Sequence, residues 1–472
     1  MSLTQQRIEE LINEISRNTA AQSSWRNQES RSCGPGCFED MQDAITSAKE
    51  SQKKLMTLSL EQRDGIIRAM RKASLDNAKY LALLAHEETG FGRVEDKIIK
   101  NTLAAEKTPG IEDLTPRAYT GDNGLTLVEG APYGVIGAIT PSTNPSATVI
   151  NNSISMVAAG NAVVFNPHPG AKKVSIEAIR ILNEAIAGAG GPKTLLCTVK
   201  EPTLETGRMI MENADIRMLA VTGGEAVVNV AMKSGKKVIA AGPGNPPVIV
   251  DNTADIRKAA ADIVKGASFD NNILCIAEKE VFVFRDAAEQ LIKEMTACGC
   301  YRASAEETEK IKSYVLEKNK EGNFVPNKKF VGKDAGYILK QCGINAGADH
   351  RLIIAEVDFA HPFVKTEMLM PVLPIVKVDS LEEAIEKAVL AENGCKHTAI
   401  MHSQNVSNLT AAARALDTTI FVKNAPSYAG LGFEGEGYTT LTIATPTGEG
   451  LTSARSFVRY RRCTLSGSFR II

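Results

Sequence analysis

The chain has 472 residues, 43% of them hydrophobic and 23% charged, with a formal net charge of −1. That length is enough for about three domains of ordinary size, each with its own packed core. The near-neutral balance gives no electrostatic case for nucleic acid or an anionic membrane surface, and no run of about 18 apolar residues is present to span a bilayer.

Residues 1–17 predict a short amphipathic helix. Ile8, Leu11, Ile12 and Ile15 fall at i, i+3, i+4 and i+7, with Arg7, Glu9, Glu10, Asn13 and Glu14 around them. Those charges leave no room for the apolar core of a secretory signal. Residues 18–37 are polar and rich in Ser, Gln and Asn, the composition of a flexible linker. So short a helix on a tether is not stable alone. It either packs on its own globular body or docks on another protein.

From Phe38 the pattern alternates helix and strand. Residues 41–88 read as largely helical. Residues 125–128 and 134–139 are short β-type runs, the second followed by Pro141-Ser-Thr-Asn-Pro145. Residues 162–165 and 218–221 are buried-strand candidates, with a helical stretch at 173–187 between them. A second α/β stretch runs from about 248 to about 422. Such alternation predicts an α/β fold with parallel sheets.

Nine cysteines stand at 33, 37, 197, 275, 298, 300, 342, 395 and 463. An odd number without a secretion signal fits a reducing compartment better than a disulfide framework. Cys33 and Cys37 are the tightest pair, but no second pair has zinc-ligand spacing, so no metal site is expected. Gly430-Leu-Gly432-Phe-Glu-Gly435 matches the dinucleotide fingerprint in letters only. It follows no strand, and the β-branched residues after it are non-helical, so it reads as a loop.

The informative segment is Asp270-Asn-Asn-Ile-Leu-Cys275, a cysteine placed between an amide-rich turn and the strand-like Glu280-Val-Phe-Val-Phe. With it come Pro132-Tyr-Gly-Val-Ile-Gly-Ala-Ile-Thr-Pro-Ser-Thr-Asn-Pro145, Val221-Thr-Gly-Gly224, Gly242-Pro-Gly-Asn-Pro-Pro247, Glu367-Met-Leu-Met-Pro-Val372 and Pro446-Thr-Gly-Glu-Gly450. These six motifs, in this order over about residues 40–462, resemble the aldehyde dehydrogenase superfamily. The resemblance is to its CoA-acylating branch, which includes the propionaldehyde and acetaldehyde dehydrogenases of bacterial microcompartments.

The resemblance implies a residue-by-residue chemistry. Cys275 is the nucleophile that adds to a small aldehyde, propionaldehyde first and acetaldehyde second. The oxyanion takes hydrogen bonds from the Cys275 N–H and from a side-chain amide in the loop after the strand that begins Pro132-Tyr-Gly-Val. Thr143 occupies that position in ungapped matching, and Asn144, the next residue, has the amide. Hydrolytic relatives carry a glutamate base 34 residues before their nucleophile, where this chain has Ala241. Without that base, worth roughly 10²–10⁴-fold, the acyl group passes to the thiol of coenzyme A. His397 matches a histidine typical of the acylating branch; with an ordinary pKa of about 6.5 it could help ionise Cys275 or the CoA thiol. Glu367 matches a glutamate that binds the nicotinamide ribose hydroxyls, and Thr222 and Gly224 match the turn that faces the pyrophosphate. Gly223, Pro141, Leu369 and, after the strand at 163–165, Asn166, Pro167 and His168 are further cofactor-binding candidates. No carboxylate stands there to repel a 2′-phosphate, so NAD and NADP both remain open.

The implied architecture is a Rossmann-like cofactor domain over 38–115 and 132–242 and an α/β catalytic domain over 243–445. A β oligomerisation arm over 116–131 and 456–472 would build a homodimer or homotetramer. Residues 1–17 have the form of the short helix that directs such enzymes to a microcompartment shell protein, which would put the enzyme in the cytoplasm, inside a microcompartment. The alternatives are a hydrolytic aldehyde dehydrogenase releasing free acid and a non-catalytic shell-associated protein. The absent base argues against the first and the intact motifs against the second.

Overall fold

The computed structural model describes residues 34–347 and 350–471. The chain starts with β1 (Cys37–Phe38) and three helices, Met41–Leu55, Leu60–Asp76 and Ala78–Thr89. The first two have prepared N-termini. Asp40 accepts from the Gln42 and Asp43 N–H groups, and Ser59 and Gln62 cap each other reciprocally. A fourth helix, Val94–Lys107, leads to β2 (Arg117–Gly121), β3 (Gly124–Pro132), β4 (Val135–Thr140), β5 (Ala162–Pro167), β6 (Leu196–Val199), β7 (Ile216–Thr222) and β8 (Lys237–Ala241).

Six of these strands form one parallel sheet in the order β1-β6-β5-β4-β7-β8. Continuous apolar runs such as Val-Val-Phe in β5 suit strands covered on both faces. The chain builds outward from β4 in one direction and returns through β7 in the other. The order therefore reverses between β4 and β7, the place where open α/β sheets bind ligands at their carboxyl ends. The helix Pro145–Ala158, which follows β4, is buried along its whole length.

The chain goes on through β9 (Pro247–Val250), β10 (Glu280–Phe284), β11 (Tyr301–Ala303), a hairpin of β12 (Leu316–Lys318) and β13 (Phe324–Pro326), β14 (Ile353–Glu356), β15 (Val372–Val378), β16 (Thr398–His402) and β17 (Ile420–Lys423). Seven of these make a second parallel sheet, in the order β11-β14-β15-β10-β9-β16-β17. The glycines at 430, 432 and 435 do lie in a loop: a short 3-10 turn, Ser427–Leu431, ends at Gly432 in the left-handed region. The chain closes with β18 (Ile443–Ala444), β19 (Gly450–Leu451) and β20 (Val458–Ser466). β20 pairs antiparallel with β3 from Val458 opposite Pro132 to Ser466 opposite Gly124, and β2 takes the other edge of β3.

Two compact units result. One holds the described residues up to Glu88, Ile98–Ala241 and everything from Tyr438 onward; the other holds Thr89–Lys97 and Gly242–Gly437. The arm expected at 116–131 and 456–472 falls within the first unit, and two further stretches change sides, each with a physical cause. Residues 89–97 belong to the second unit because Arg93 and Lys97 bond Asp270 there. Residues 438–445 belong to the first because Leu441 and Thr442 bond Asn151 and Asn152 of the buried helix.

The end of the expected linker is also ordered. Asn183 donates to the Pro35 carbonyl, and the Thr198 N–H donates to Gly36. A β-carbon on Gly36 would lie 2.2 Å from both the Asn183 amide and the Leu196 carbonyl. Cys37 is disulfide-bonded, a departure from the all-thiol expectation. The helix expected at 1–17 lies outside the described residues. Among the described residues no helix is long and apolar enough to cross a membrane.

Candidate active site

Between the helix Ile256–Ser268 and β10 the backbone makes a reversal that few sequences would adopt. Asp270, Asn271 and Asn272 have φ of 46°, 53° and 64°, three consecutive residues in the left-handed region. Asn and Asp tolerate that region best, yet each such residue still costs about 1–2 kcal/mol unless its surroundings enforce it. Here they do. Asp270 accepts from the Arg93 N–H at 2.7 Å and from the Lys97 ammonium at 3.1 Å, and its own N–H donates to Asp96 at 2.8 Å. The Lys97 and Asp270 side chains are 4% and 0% exposed, so this is a fully buried ion pair. Asn271 donates to the Gly332 carbonyl and Asp334, and Asn272 donates to the carbonyls of Ala267 and Glu278.

The turn delivers Cys275 just before β10. Residue Cys275 as a whole keeps some exposure, while every neighbour from Phe269 to Glu280 is buried. Burial pushes the thiol up to about 12, and the Glu367 carboxylate adds to this; Lys279 and the N–H groups of Cys275 and Ile276 oppose it. Lys279 is itself buried, and burial lowers its pKa against the pull of Glu367 and Cys275. The Glu367 carboxyl is raised, chiefly by burial, with Lys279 and the Gly244 N–H holding it back; that N–H lies 3.5 Å from the carboxylate.

Gly244 occupies a position that admits no side chain. A β-carbon there would lie 2.7 Å from the Cys275 carbonyl oxygen and 2.9 Å from Cγ of His397. His397 is fully buried. Its N–H donates to Glu392 at 2.9 Å, its Nδ1 is 2.8 Å from the Thr398 hydroxyl, and its Nε2 has no hydrogen-bond partner among the described residues. Burial, with Lys279 as a second cause, lowers its pKa to about 4. The ordinary value near 6.5 expected from sequence therefore does not apply: His397 is neutral at neutral pH.

These residues share one location. Gly244 precedes β9, Cys275 precedes β10, Glu367 precedes β15 and His397 precedes β16, and these four strands are adjacent and parallel. The second unit thus gathers its reactive side chains at the amino edge of its sheet. Leu369, on the same stretch as Glu367, has φ of 50° and accepts from the Gly332 N–H.

The first unit collects its own set at the carboxyl ends of β4, β5 and β7. Pro141, Thr143 and Asn144 follow β4. Asn144 is buried, and the Lys100 ammonium donates to its Oδ1 at 2.5 Å. An ammonium offers only protons, so the amide oxygen must face Lys100 and the NH2 must face away, 3.3 Å from the Thr143 hydroxyl. Asn166 and Pro167 end β5. The Asn166 side chain accepts from Thr206 and donates to the Thr203 carbonyl, which ties it to the start of the helix Leu204–Glu212. The exposed His168 accepts from the Gly170 N–H. Thr222 ends β7, its hydroxyl 3.2 Å from that of Thr442, and Gly223 donates to the Ala241 carbonyl. At Gly224, where the helix Glu225–Met232 begins without a side-chain cap, a β-carbon would meet nothing within 4 Å. A nicotinamide dinucleotide fits this edge: the strand order reverses here, a helix starts at an open glycine, and no carboxylate ends β5. Ala241, at the end of β8, is buried and presents only a methyl group.

Sequence reasoning missed four residues that build these sites: Lys97, Lys100, Gly244 and Lys279. The three lysines sit in mixed charged stretches that look like solvated surface, and only Gly244 fell inside a quoted motif.

A family-level comparison matches residues 32–438 to the aldehyde dehydrogenase family. The chain is 52% identical over 439 residues, 93% of its length and 94% of the relative's, to acetaldehyde dehydrogenase (acetylating) EutE of Salmonella typhimurium. Among solved structures it is similar to a propionaldehyde dehydrogenase from the Clostridium phytofermentans fucose utilisation bacterial microcompartment, with 50% identity, a TM-score of 0.90, and coverage of 93% of this chain and 100% of that one. It is also similar to a Rhodopseudomonas palustris propionaldehyde dehydrogenase solved with bound CoA and an acylated cysteine, at 48% identity and TM-score 0.89, covering 93% of this chain and 99% of that one. With the family match spanning most of its length, the chain belongs to the aldehyde dehydrogenase family.

Proposed function

We propose that this chain is a CoA-acylating aldehyde dehydrogenase that converts a short-chain aldehyde, propionaldehyde in the first place, to its acyl-CoA. The observation that carries the reading is the Cys275 thiol at the amino edge of the second sheet, set with Glu367, His397 and Gly244 at the starts of adjacent strands. Cys275 is the nucleophile. Its raised pKa keeps it a thiol at rest, and His397, beside Gly244 at the start of a nearby strand, is our candidate to help ionise Cys275 or the CoA thiol. The Cys275 N–H is one oxyanion donor, and the family resemblance assigns the second to Thr143 or Asn144; within the first unit the Lys100 bond to the Asn144 oxygen leaves its NH2 as the group able to donate. That bond favours Asn144 over Thr143.

A nicotinamide dinucleotide, when bound, supplies the hydride acceptor that turns the thiohemiacetal into an acyl thioester. Thr222, Gly223, Gly224, Pro141, Pro167 and His168 would hold its phosphate and adenosine portions, and Glu367 and Leu369 its nicotinamide end. Asn166, held in place by its bonds to Thr203 and Thr206, would line the same groove. The buried Ala241 cannot deprotonate water, so the thioester waits for the CoA thiol.

The exposed arm strand β20 and the outer edge of β2, unpaired among the described residues, support assembly into a homodimer or homotetramer. The amphipathic pattern of residues 1–17, together with the microcompartment origin of a similar enzyme, supports a place inside a microcompartment, reached through a shell protein that binds this helix. The deciding experiment follows NADH formation from propionaldehyde with and without CoA. CoA-dependent turnover with propionyl-CoA as product is expected; equal rates in both would overturn the acylating assignment.

A further inference from the structure

The Cys275 N–H is half of a peptide group whose other half is the Leu274 carbonyl, and that carbonyl is bound. It accepts from the Ala277 N–H at 3.1 Å and from the Lys279 ammonium at 3.1 Å. The other two protons of Lys279 go to Asn272, its carbonyl at 2.8 Å and its side-chain oxygen at 2.6 Å. The ammonium, 1% exposed, thus spends its three donors on three oxygens of the turn that precedes the nucleophile. Lys279 is in turn anchored to the sheet by its own N–H, which donates to the Pro246 carbonyl at 3.0 Å.

In a trans peptide the carbonyl and the N–H point in opposite directions. Fixing the Leu274 oxygen on the Lys279 side therefore turns the Cys275 N–H to the other side, where it faces the thiol. A cation on the oxygen also draws electrons from the amide and makes its N–H a stronger donor, as chained hydrogen bonds polarise one another in a dry interior.

We propose that Lys279 is a positioning residue of the oxyanion site, holding and polarising the Leu274–Cys275 peptide so that its N–H stabilises the substrate oxygen. The step concerned is the addition: the thiol proton leaves to a base, for which His397 is the candidate, a sulfur electron pair bonds to the carbonyl carbon, and the carbonyl π pair moves onto oxygen. The resulting oxyanion takes the N–H hydrogen bond. This rests on Cys275 being the nucleophile.

The test compares two reactions of the same thiol in the full-length enzyme. Aldehyde oxidation builds an oxyanion; alkylation by iodoacetamide, followed at Cys275 by mass spectrometry, builds none. In Lys279→Met, oxidation is expected to fall at least ten times further than alkylation at the same pH, within the roughly 10²–10³-fold known for loss of a whole oxyanion donor. Lys279→Gln, which can donate to a carbonyl but carries no charge, is expected to show the same bias less strongly. Equal loss in both reactions would mean that Lys279 acts on thiol ionisation or structure alone, and the proposal falls. It falls too if neither variant folds. Cys275→Ala, run alongside, separates the two ideas: residual oxidation there removes the nucleophile assignment itself, whatever Lys279→Met shows.

Discussion

Replacing Gly244 with alanine adds one methyl group, and the structure says what it strikes. Gly244 is not among the glycines in the left-handed region, so alanine meets no backbone penalty and the effect is steric. The new carbon would lie 2.7 Å from the Cys275 carbonyl oxygen and 2.9 Å from Cγ of His397. Carbon and oxygen ordinarily stay about 3.3 Å apart, and two carbons about 3.5 Å. Each contact therefore demands a shift of roughly 0.6 Å, and both partners are working parts of the site. Overpacking of this kind costs about 1–3 kcal/mol, so the protein should fold with a lower Tm. Displacement of the nucleophile should cost more, because about 1 Å of misplacement is worth on the order of 10²-fold in rate. Gly244→Ala is therefore expected to lower kcat/KM for propionaldehyde by roughly ten-fold or more while remaining folded. The assay is initial NADH formation at saturating CoA, beside a thermal unfolding curve. Activity within two-fold of the parent would show that the loop yields freely and that the close packing of Gly244 does not set the geometry.

Four further outcomes are expected. Cys275→Ala should abolish aldehyde oxidation without changing the circular dichroism spectrum; substantial turnover would mean that another cysteine attacks. Ala241→Glu should raise free-acid release relative to acyl-CoA, measured by product chromatography, if only a base is missing, and no change would mean that the site excludes water by other means. His397 and His402 should stay neutral as pH drops from 6.5 to about 5, because burial holds them at about 4 and about 3; imidazole resonances that titrate near 6.5 in the folded protein would contradict this. Deleting residues 1–17 should leave solution kinetics intact and abolish co-purification with shells, and loss of activity would assign the helix to the core.

The sequence pattern reached the fold through its apolar runs. The segments 134–139, 162–165 and 218–221 became β4, β5 and β7 within a residue or two, because strands buried on both faces carry continuous Val, Ile and Phe. Cys275, Glu367 and His397 were found by motif, but their meeting could not be read: the order of strands in a sheet is a non-local property. The lysines failed for a different reason. Glu278-Lys279-Glu280 reads as solvent-facing charge, yet all three side chains are buried, and what makes Lys279 tolerable there is a set of carbonyls that only the folded turn presents. His397 shows the same limit, since its desolvation is set by packing that no spacing reveals.

The tie between Asp270 and the segment Arg93–Lys97 bears on how such enzymes can be recombined. A gene fragment for residues 242–437 encodes nearly all of the second unit but omits Lys97 and the Arg93 amide. Asp270 would then be left with its carboxylate buried and those two partners gone, at the turn that presents Cys275. Removing one member of a buried ion pair is worth about 3–5 kcal/mol, a large part of an ordinary domain's stability. Chimaeras between homologous enzymes should therefore exchange residues 89–437 as one block. A crossover at 242, attractive because it falls between two sheets, would bring together a turn and a clasp that had not co-evolved.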